Sequence, residues 1–343
     1  NANVAVTIKD SKTGGRIINE HGKNAVLYTI NVAKGTLNLE SGTICIHNTL
    51  QQSYGTAAAG GVATSVVSMG ARAIQQAAAT TVNINGGRVE SYGTRAVYGI
   101  RTEGSKANST TLNISGGEIY AESPAYVYAV FSNGKLNVSG GTITAKINNE
   151  VVNENTAYME YIRTNNKLWD NRTYGLRGFG YGILLQGGNS VTANANYFGT
   201  LNMTGGTVNV INAGDPEMQA NSTATSFIQS PLYGVYFNAA ALNVKTGTAS
   251  DGSYSQKYAA KGSITGGTVN VTNNGRQSYG VWVTGHYNSF DNSYAPVELK
   301  NCTINVSSYY ESYGVYATAV VGTTSDNASP NMGACYAGEV ELT

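Results

Sequence analysis

Charge is scarce in this chain. Lys, Arg, Asp and Glu together make up 12% of its 343 residues, with a formal net charge of +1, against about 25% charged in an ordinary globular chain. No basic patch or run occurs, which argues against nucleic acid and anionic membrane surfaces as partners. No apolar stretch reaches the roughly 20 residues of a membrane-spanning helix, so no membrane insertion is expected. Three cysteines, Cys45, Cys302 and Cys335, are an odd number without metal-binding spacing. They read as free thiols, although Cys302 and Cys335 lie about one repeat apart and would pair if the fold brought them together. The three histidines, His21, His47 and His286, are scattered. Neither a metal nor another cofactor is expected. The chain opens on Asn1-Ala2-Asn3-Val4 without a secretory leader, which fits a mature or trimmed product.

What the chain has instead is a repeated phrase. Leu112-Asn113-Ile114-Ser115-Gly116-Gly117-Glu118-Ile119 recurs from Val82 to Val89, Leu136 to Ile143 and Leu201 to Val208. A worn copy runs from Gly262 to Val269, and copies without the glycine pair run from Leu37 to Ile44 and Val297 to Ile304. On either side of the glycines the residues alternate with period two, the mark of half-buried strands. Leu112, Ile114, Ile119 and Ala121 point one way; Asn113, Ser115, Glu118 and Tyr120 point the other. Glycine reaches backbone conformations closed to other residues and so supplies the bend. A second phrase follows each time: Tyr98-Gly99-Ile100, Tyr128-Ala129-Val130, Tyr181-Gly182-Ile183, Tyr233-Gly234-Val235, Tyr279-Gly280-Val281 and Tyr313-Gly314-Val315. Each repeat therefore holds three strands.

The shortest spacing, Leu112 to Leu136, is 24 residues, enough for one three-sided turn. Longer spacings carry insertions, which on a stack map to loops. A sandwich or propeller built of hairpins would place Asn-Gly or Asp-Gly turns at a fixed phase. Asn133-Gly134, Asp251-Gly252 and Asn274-Gly275 fall between repeats or in insertions instead. The expected fold is all-β: a right-handed parallel β-helix, three strands per coil and about 7–9 coils, in a rod on the order of 40 Å long. Residues 1–343 form a single domain in this reading. A degenerate N-terminal coil covers 1–36, regular coils 37–322, and a last coil 323–343 that continues beyond this chain or docks on other chains through its open end.

The phase of the strands decides how side chains read. Asn113, Asn137 and Asn202 lie within sequons, but on consecutive coils they stand one strand separation apart, too close for glycans. An outward ladder of mutually bonded amides is expected. Loop sequons such as Asn171, Asn221 and Asn327 stay open to modification. Arg88 and Glu118 share a phase on neighbouring coils and form a cross-strand charge pair. They also interrupt the threonine column Thr43, Thr142, Thr207, Thr268 and Thr303, so a regular ice-binding face is not expected. Glycoside hydrolysis needs two carboxylates a few ångströms apart. None of the six aspartates lies in a repeat strand (Asp10 stands near one), and no acidic cluster accompanies Arg95, Arg101 or Arg177. No catalytic residue is assigned.

Strict alternation in the third strand turns the Val or Ile of Tyr-Gly-Val inward, and the tyrosine with it, as a stacked column at a corner of the coil. The next residue then points out: Arg101, Phe131, Leu184, Tyr236, Trp282 and Tyr316. An aromatic outward column marks an interaction face, and Phe131, Tyr236, Trp282 and Tyr316 are its candidate binding residues. Trp169 joins them from the insertion at 144–179. The competing reading has the insertions at 144–179, 211–231 and 285–296 fold back over this column as a satellite core.

The Leu-Asn-x-Ser/Thr-Gly-Gly-Thr-Ile/Val phrase, over roughly residues 37–343, resembles the repeats of right-handed parallel β-helix surface proteins of bacteria, the pectin-lyase-like and adhesin-like group. The abundance of Gly, Tyr, Asn, Ser and Thr is similar to that of extracellular bacterial β-proteins. The polygalacturonase signatures of the group's enzymes are absent here. The resemblance therefore implies a secreted or surface-anchored, non-catalytic adhesin or structural protein that binds a glycan or a neighbouring cell surface. A polysaccharide lyase or hydrolase with a loop-built site, and a filament subunit joined end to end, are the alternatives.

Overall fold

The alternation on either side of the glycines is realised as strands. A computed structural model describes residues 4–21, 27–48, 70–77, 79–93, 96–103, 110–123, 126–148, 179–186, 188–190, 199–212, 231–238, 256–258, 260–275, 277–286, 297–309, 311–320 and 340–342. In strands Thr111–Ile114 and Glu118–Ser123, Leu112, Ile114, Ile119 and Ala121 are at most 1% exposed, while Asn113 and Tyr120 keep contact with solvent. The same positions of the other copies, among them Val82, Ile84, Leu136, Val138, Val208 and Val269, join one continuous core.

Like strands stack on like. Those before the glycines form a nine-stranded parallel sheet, and those after them and those at Tyr-Gly-Val form an eight-stranded sheet each. The result is a right-handed parallel β-helix of about eight coils. The register is that of the repeat: Leu112 lies beside Val82 and Leu136, Ile119 beside Val89 and Ile143, and Tyr128 beside Tyr98 and Tyr181. The first coil, Ala5–Ile8, Arg16–His21 and Leu27–Val32, carries neither phrase but stacks in the same way. Val340–Leu342 adds a ninth strand to the first sheet.

The bend between first and second sheets is held to three residues from the second coil, Leu39 to Thr43, to the eighth, Leu299 to Thr303. Gly42, Gly87, Gly117, Gly141, Gly206 and Gly267 turn there with φ between 69° and 86°, a region costly to residues with a Cβ. In the Val297 copy Asn301 (φ 51°) takes the turn, asparagine being the side-chain-bearing residue that best tolerates it. No such constraint holds at the other two corners. Residues 49–69, 149–178 and 213–230 enter between second and third sheets, and 191–198, 239–255 and 287–296 between third and first. All large variation in length thus flanks the third sheet. Two of these insertions touch each other, Gly188–Ser190 pairing antiparallel with Gln256–Tyr258.

The third sheet departs from strict alternation. Ala129 and Val130 are both fully buried in the core, although they are consecutive. The parallel ladder skips this position in every coil: Tyr128 pairs with Tyr181 and Val130 with Ile183, with no pairing between them. The residue after the tyrosine is small because it faces inward against the second sheet. A Cβ on Gly182 would stand 2.3 Å from Val208 Cγ1, and one on Gly234 2.3 Å from Val269 Cγ1. Two inward residues in succession return the tyrosine to the outside. The tyrosine column is therefore not a corner of the core, as alternation predicted, but an outward column beside Phe131 and its equivalents.

This local crowding gives a test. In Gly234→Ala the added methyl meets Val269 Cγ1 at 2.3 Å and Gly280 O at 2.4 Å, and a loss of about 1–3 kcal/mol is expected. Ala129→Gly, where the methyl already fits, should cost only about 1 kcal/mol. Urea midpoints of the two variants against the parent decide it.

Candidate functional site: the aromatic face of the third sheet

Six tyrosines lie ring on ring. Tyr98, Tyr128, Tyr181, Tyr233, Tyr279 and Tyr313 follow one another at centroid distances of 4.6, 5.0, 4.7, 5.2 and 5.3 Å, with ring planes 5–9° apart. In-register stacking forces this geometry, because each residue sits one strand separation from its copy, and offset-parallel rings are attractive at that distance. The second column stands three residues along. Phe131 pairs with Leu184, Leu184 with Tyr236, Tyr236 with Trp282 and Trp282 with Tyr316. Four of the five candidate residues from the sequence thus share one column; Trp169 lies outside the described residues.

The columns touch. Tyr233 and Tyr236 are 5.4 Å apart, Tyr279 and Trp282 4.6 Å, and Tyr313 and Tyr316 4.9 Å. A third outward position, two residues before each tyrosine, adds Tyr126 and Phe179, stacked at 5.5 Å. At the N-terminal end the Arg101 guanidinium lies 5.0 Å from the rings of both Tyr98 and Phe131, a cation–π cap. Trp282 donates Nε1–H to Thr318 Oγ1 at 2.9 Å.

Exposure varies along the face. Tyr98, Tyr126, Leu184, Tyr233 and Tyr279 are at most 6% exposed, and Tyr128, Phe179 and Tyr181 are half-buried. Phe131, Tyr236, Trp282 and Tyr316 are half-buried. Burial is the first cause that pushes the phenols of Tyr128, Tyr181, Tyr233 and Tyr236 above their ordinary range, neighbouring tyrosines adding to it for the first three. Both faces of most rings are also occupied by their neighbours in the column.

On the other two faces, outward polar groups bond to one another. On the first sheet Asn83 donates to Asn38, Asn113 to Asn83 and Asn137 to Asn113, each at 2.7 Å, the ladder expected from the sequence. On the second sheet the expected Arg88–Glu118 pair is found at 3.3 Å within a larger network. Glu90 meets Arg16 at 3.0 Å and Arg88 at 2.8 Å, Lys146 meets Glu122 at 3.6 Å, and Tyr120 donates to Glu122. Arg16, Glu122 and Lys146 went unassigned in the sequence, although counting two residues on from Tyr120 finds Glu122. Cys45 is buried beside Glu90, and burial pushes its thiol up, so it is an unreactive group. Cys302 is half-buried, and Cys335 lies outside the described residues. Among the described residues no group of three His, Cys, Asp or Glu side chains is placed to hold a metal ion. The chain matches no protein-family model, no curated protein and no solved structure.

The stacked phenols set an alkaline limit. Burial, then Tyr316, Tyr313 and Glu311, push Tyr279 up to about 12, whereas an unfolded tyrosine ionises near 10. The folded state holds the proton more tightly. Its contribution is whole below about pH 10 and is lost as pH rises through about 12. Tyr128, Tyr181 and Tyr233 act in the same sense. Phenolate absorbance followed with far-UV circular dichroism should show a tyrosine fraction that ionises only as β-structure is lost.

Proposed function

We propose that this chain is an extracellular or cell-surface β-helix of the bacterial adhesin or structural kind, without catalytic activity, that holds a glycan or a partner surface on its third sheet. One observation carries the reading. The third sheet presents a tyrosine column through six coils and beside it a second column that is aromatic in four of them, while outward polar groups of the other sheets bond to one another. Aromatic rings with a few polar groups among them are the usual lining of a ligand site. The long insertions are joined to the two ends of this sheet's strands, and loops attached to a rigid scaffold are where binding residues concentrate. In the double variant Tyr236→Ala, Trp282→Ala, binding to a glycan array or to cells should fall to background with the β-sheet circular dichroism unchanged. Binding at the parent's level would refute the aromatic face.

A second reading is a polysaccharide-active enzyme, because Asp170, Asp215, Asp251 and Asp291 fall in the chain segments joined to this sheet's strands, outside the described residues. Incubation with acidic and neutral polysaccharides separates the two. The adhesin reading expects no new reducing ends and no unsaturated products; turnover of either kind would replace it.

A further inference from the structure

Within the glycan-binding reading above, on which this step rests, we infer that Thr284 and Thr318 are positioning residues for the pair Tyr236 and Trp282. Each holds the polar handle of the ring one coil before it. Neither ring then donates a hydrogen bond to the ligand, and the contact is ring surface against the C–H face of a sugar unit. The register brings these groups together. Tyr236 lies beside Trp282, Trp282 beside Tyr316 and Thr284 beside Thr318 on parallel strands. Thr284 stands two residues after Trp282, and Thr318 two after Tyr316. Each threonine is therefore the diagonal neighbour of the preceding coil's ring, a separation that aromatic side chains span.

The bonds run the same way in both coils. Trp282 donates Nε1–H to Thr318 Oγ1 at 2.9 Å. The Tyr236 phenol is hydrogen-bonded to Thr284. Thr284 is 3% exposed and donates its own hydrogen to the Phe237 carbonyl at 3.1 Å, so it offers the phenol its lone pairs, and the phenol is the donor. One coil earlier the ring position holds Leu184, which has no polar group. There the diagonal residue, Asn238, donates to Gln186 at 3.3 Å instead. The polar residues thus turn to the second column only where that column has a handle to hold.

The engaged handles decide what the pair can offer. One indole N–H and one phenol O–H are the only donors of these two side chains. With both committed inside the protein, a ligand that took a hydrogen bond from either would first break a bond already made. Apolar contact with the rings requires no such exchange. A ring held by its handle also has less freedom to lose when a ligand settles on it, which favours affinity. Support of the strand alone would leave affinity independent of how these rings are held.

The test uses the full chain on an array of neutral and acidic oligosaccharides, with ultraviolet resonance Raman of the indole N–H as a second readout and Trp282→Phe as its blank. Thr318→Val should shift the Trp282 marker toward the free N–H and weaken array binding about three- to tenfold. Thr318→Ser should restore both. Should Thr318→Val lose its β-sheet circular dichroism, Thr318→Ala removes the acceptor in its place. Tyr236→Phe should cost no more than Thr284→Val, and the two together no more than Thr284→Val alone. A shifted marker with parent-level binding makes Thr318 structural only and overturns the inference; so does an unshifted marker. Binding lost in Tyr236→Phe but kept in Thr284→Val means that the phenol itself meets the ligand, and overturns it too. In those cases the Tyr236→Ala, Trp282→Ala double variant still falls to background and the aromatic face stands. A double variant that binds like the parent, or an array on which the parent binds nothing, removes the face and this step with it.

Discussion

Every residue of a parallel β-helix must live with its own counterparts about 4.8 Å above and below. That single constraint explains most of the side chains seen here. Apolar residues repeated inward build an unbroken core from Leu39 and Ile44 through Val297. Repeated outward, asparagine tolerates the arrangement because its amide both donates and accepts, hence the ladder from Asn38 to Asn137. Tyrosine tolerates it because rings stack. Charged residues repeat poorly with one sign, and on the second sheet opposite signs meet, Arg88 under Glu118 and Glu122 beside Lys146; Glu298 and Glu341, in register on the first sheet, are a like-signed exception. The low charge content follows from the architecture before any function is considered.

The third sheet meets the same constraint differently. Its small inward residue lets two consecutive positions serve the core, and the strand then offers two aromatic columns on one side. Stacking stabilises the columns and also closes them, since rings that cover each other have only their edges left. A long aromatic face is therefore not the same thing as a long binding face.

Much of this was legible in the sequence. Alternation about the glycines gave the first two strands of each coil, their facing, the Asn ladder and the Arg88–Glu118 pair, because period two needs no knowledge of partners. The facing of the tyrosines was not legible by the same rule. It depends on Gly182 and Gly234 pointing at Val208 and Val269, residues distant along the chain, so alternation carried through the glycine put the tyrosine on the wrong side. The third strands Leu27–Val32 and Gly70–Ala77 lack the Tyr-Gly-Val phrase and were set by register alone.

The three-residue bend has a consequence for how such a chain tolerates change. From the second coil to the eighth, one of the three seams is fixed in length and two are free. A residue gained or lost at the fixed seam would slip the second sheet by one and turn Val208 or Ile143 out to water. Segments of almost any size at the free seams leave every ladder in step. The molecule is a ruler along one edge and a display rack along the others, able to exchange what it carries without re-registering what supports it.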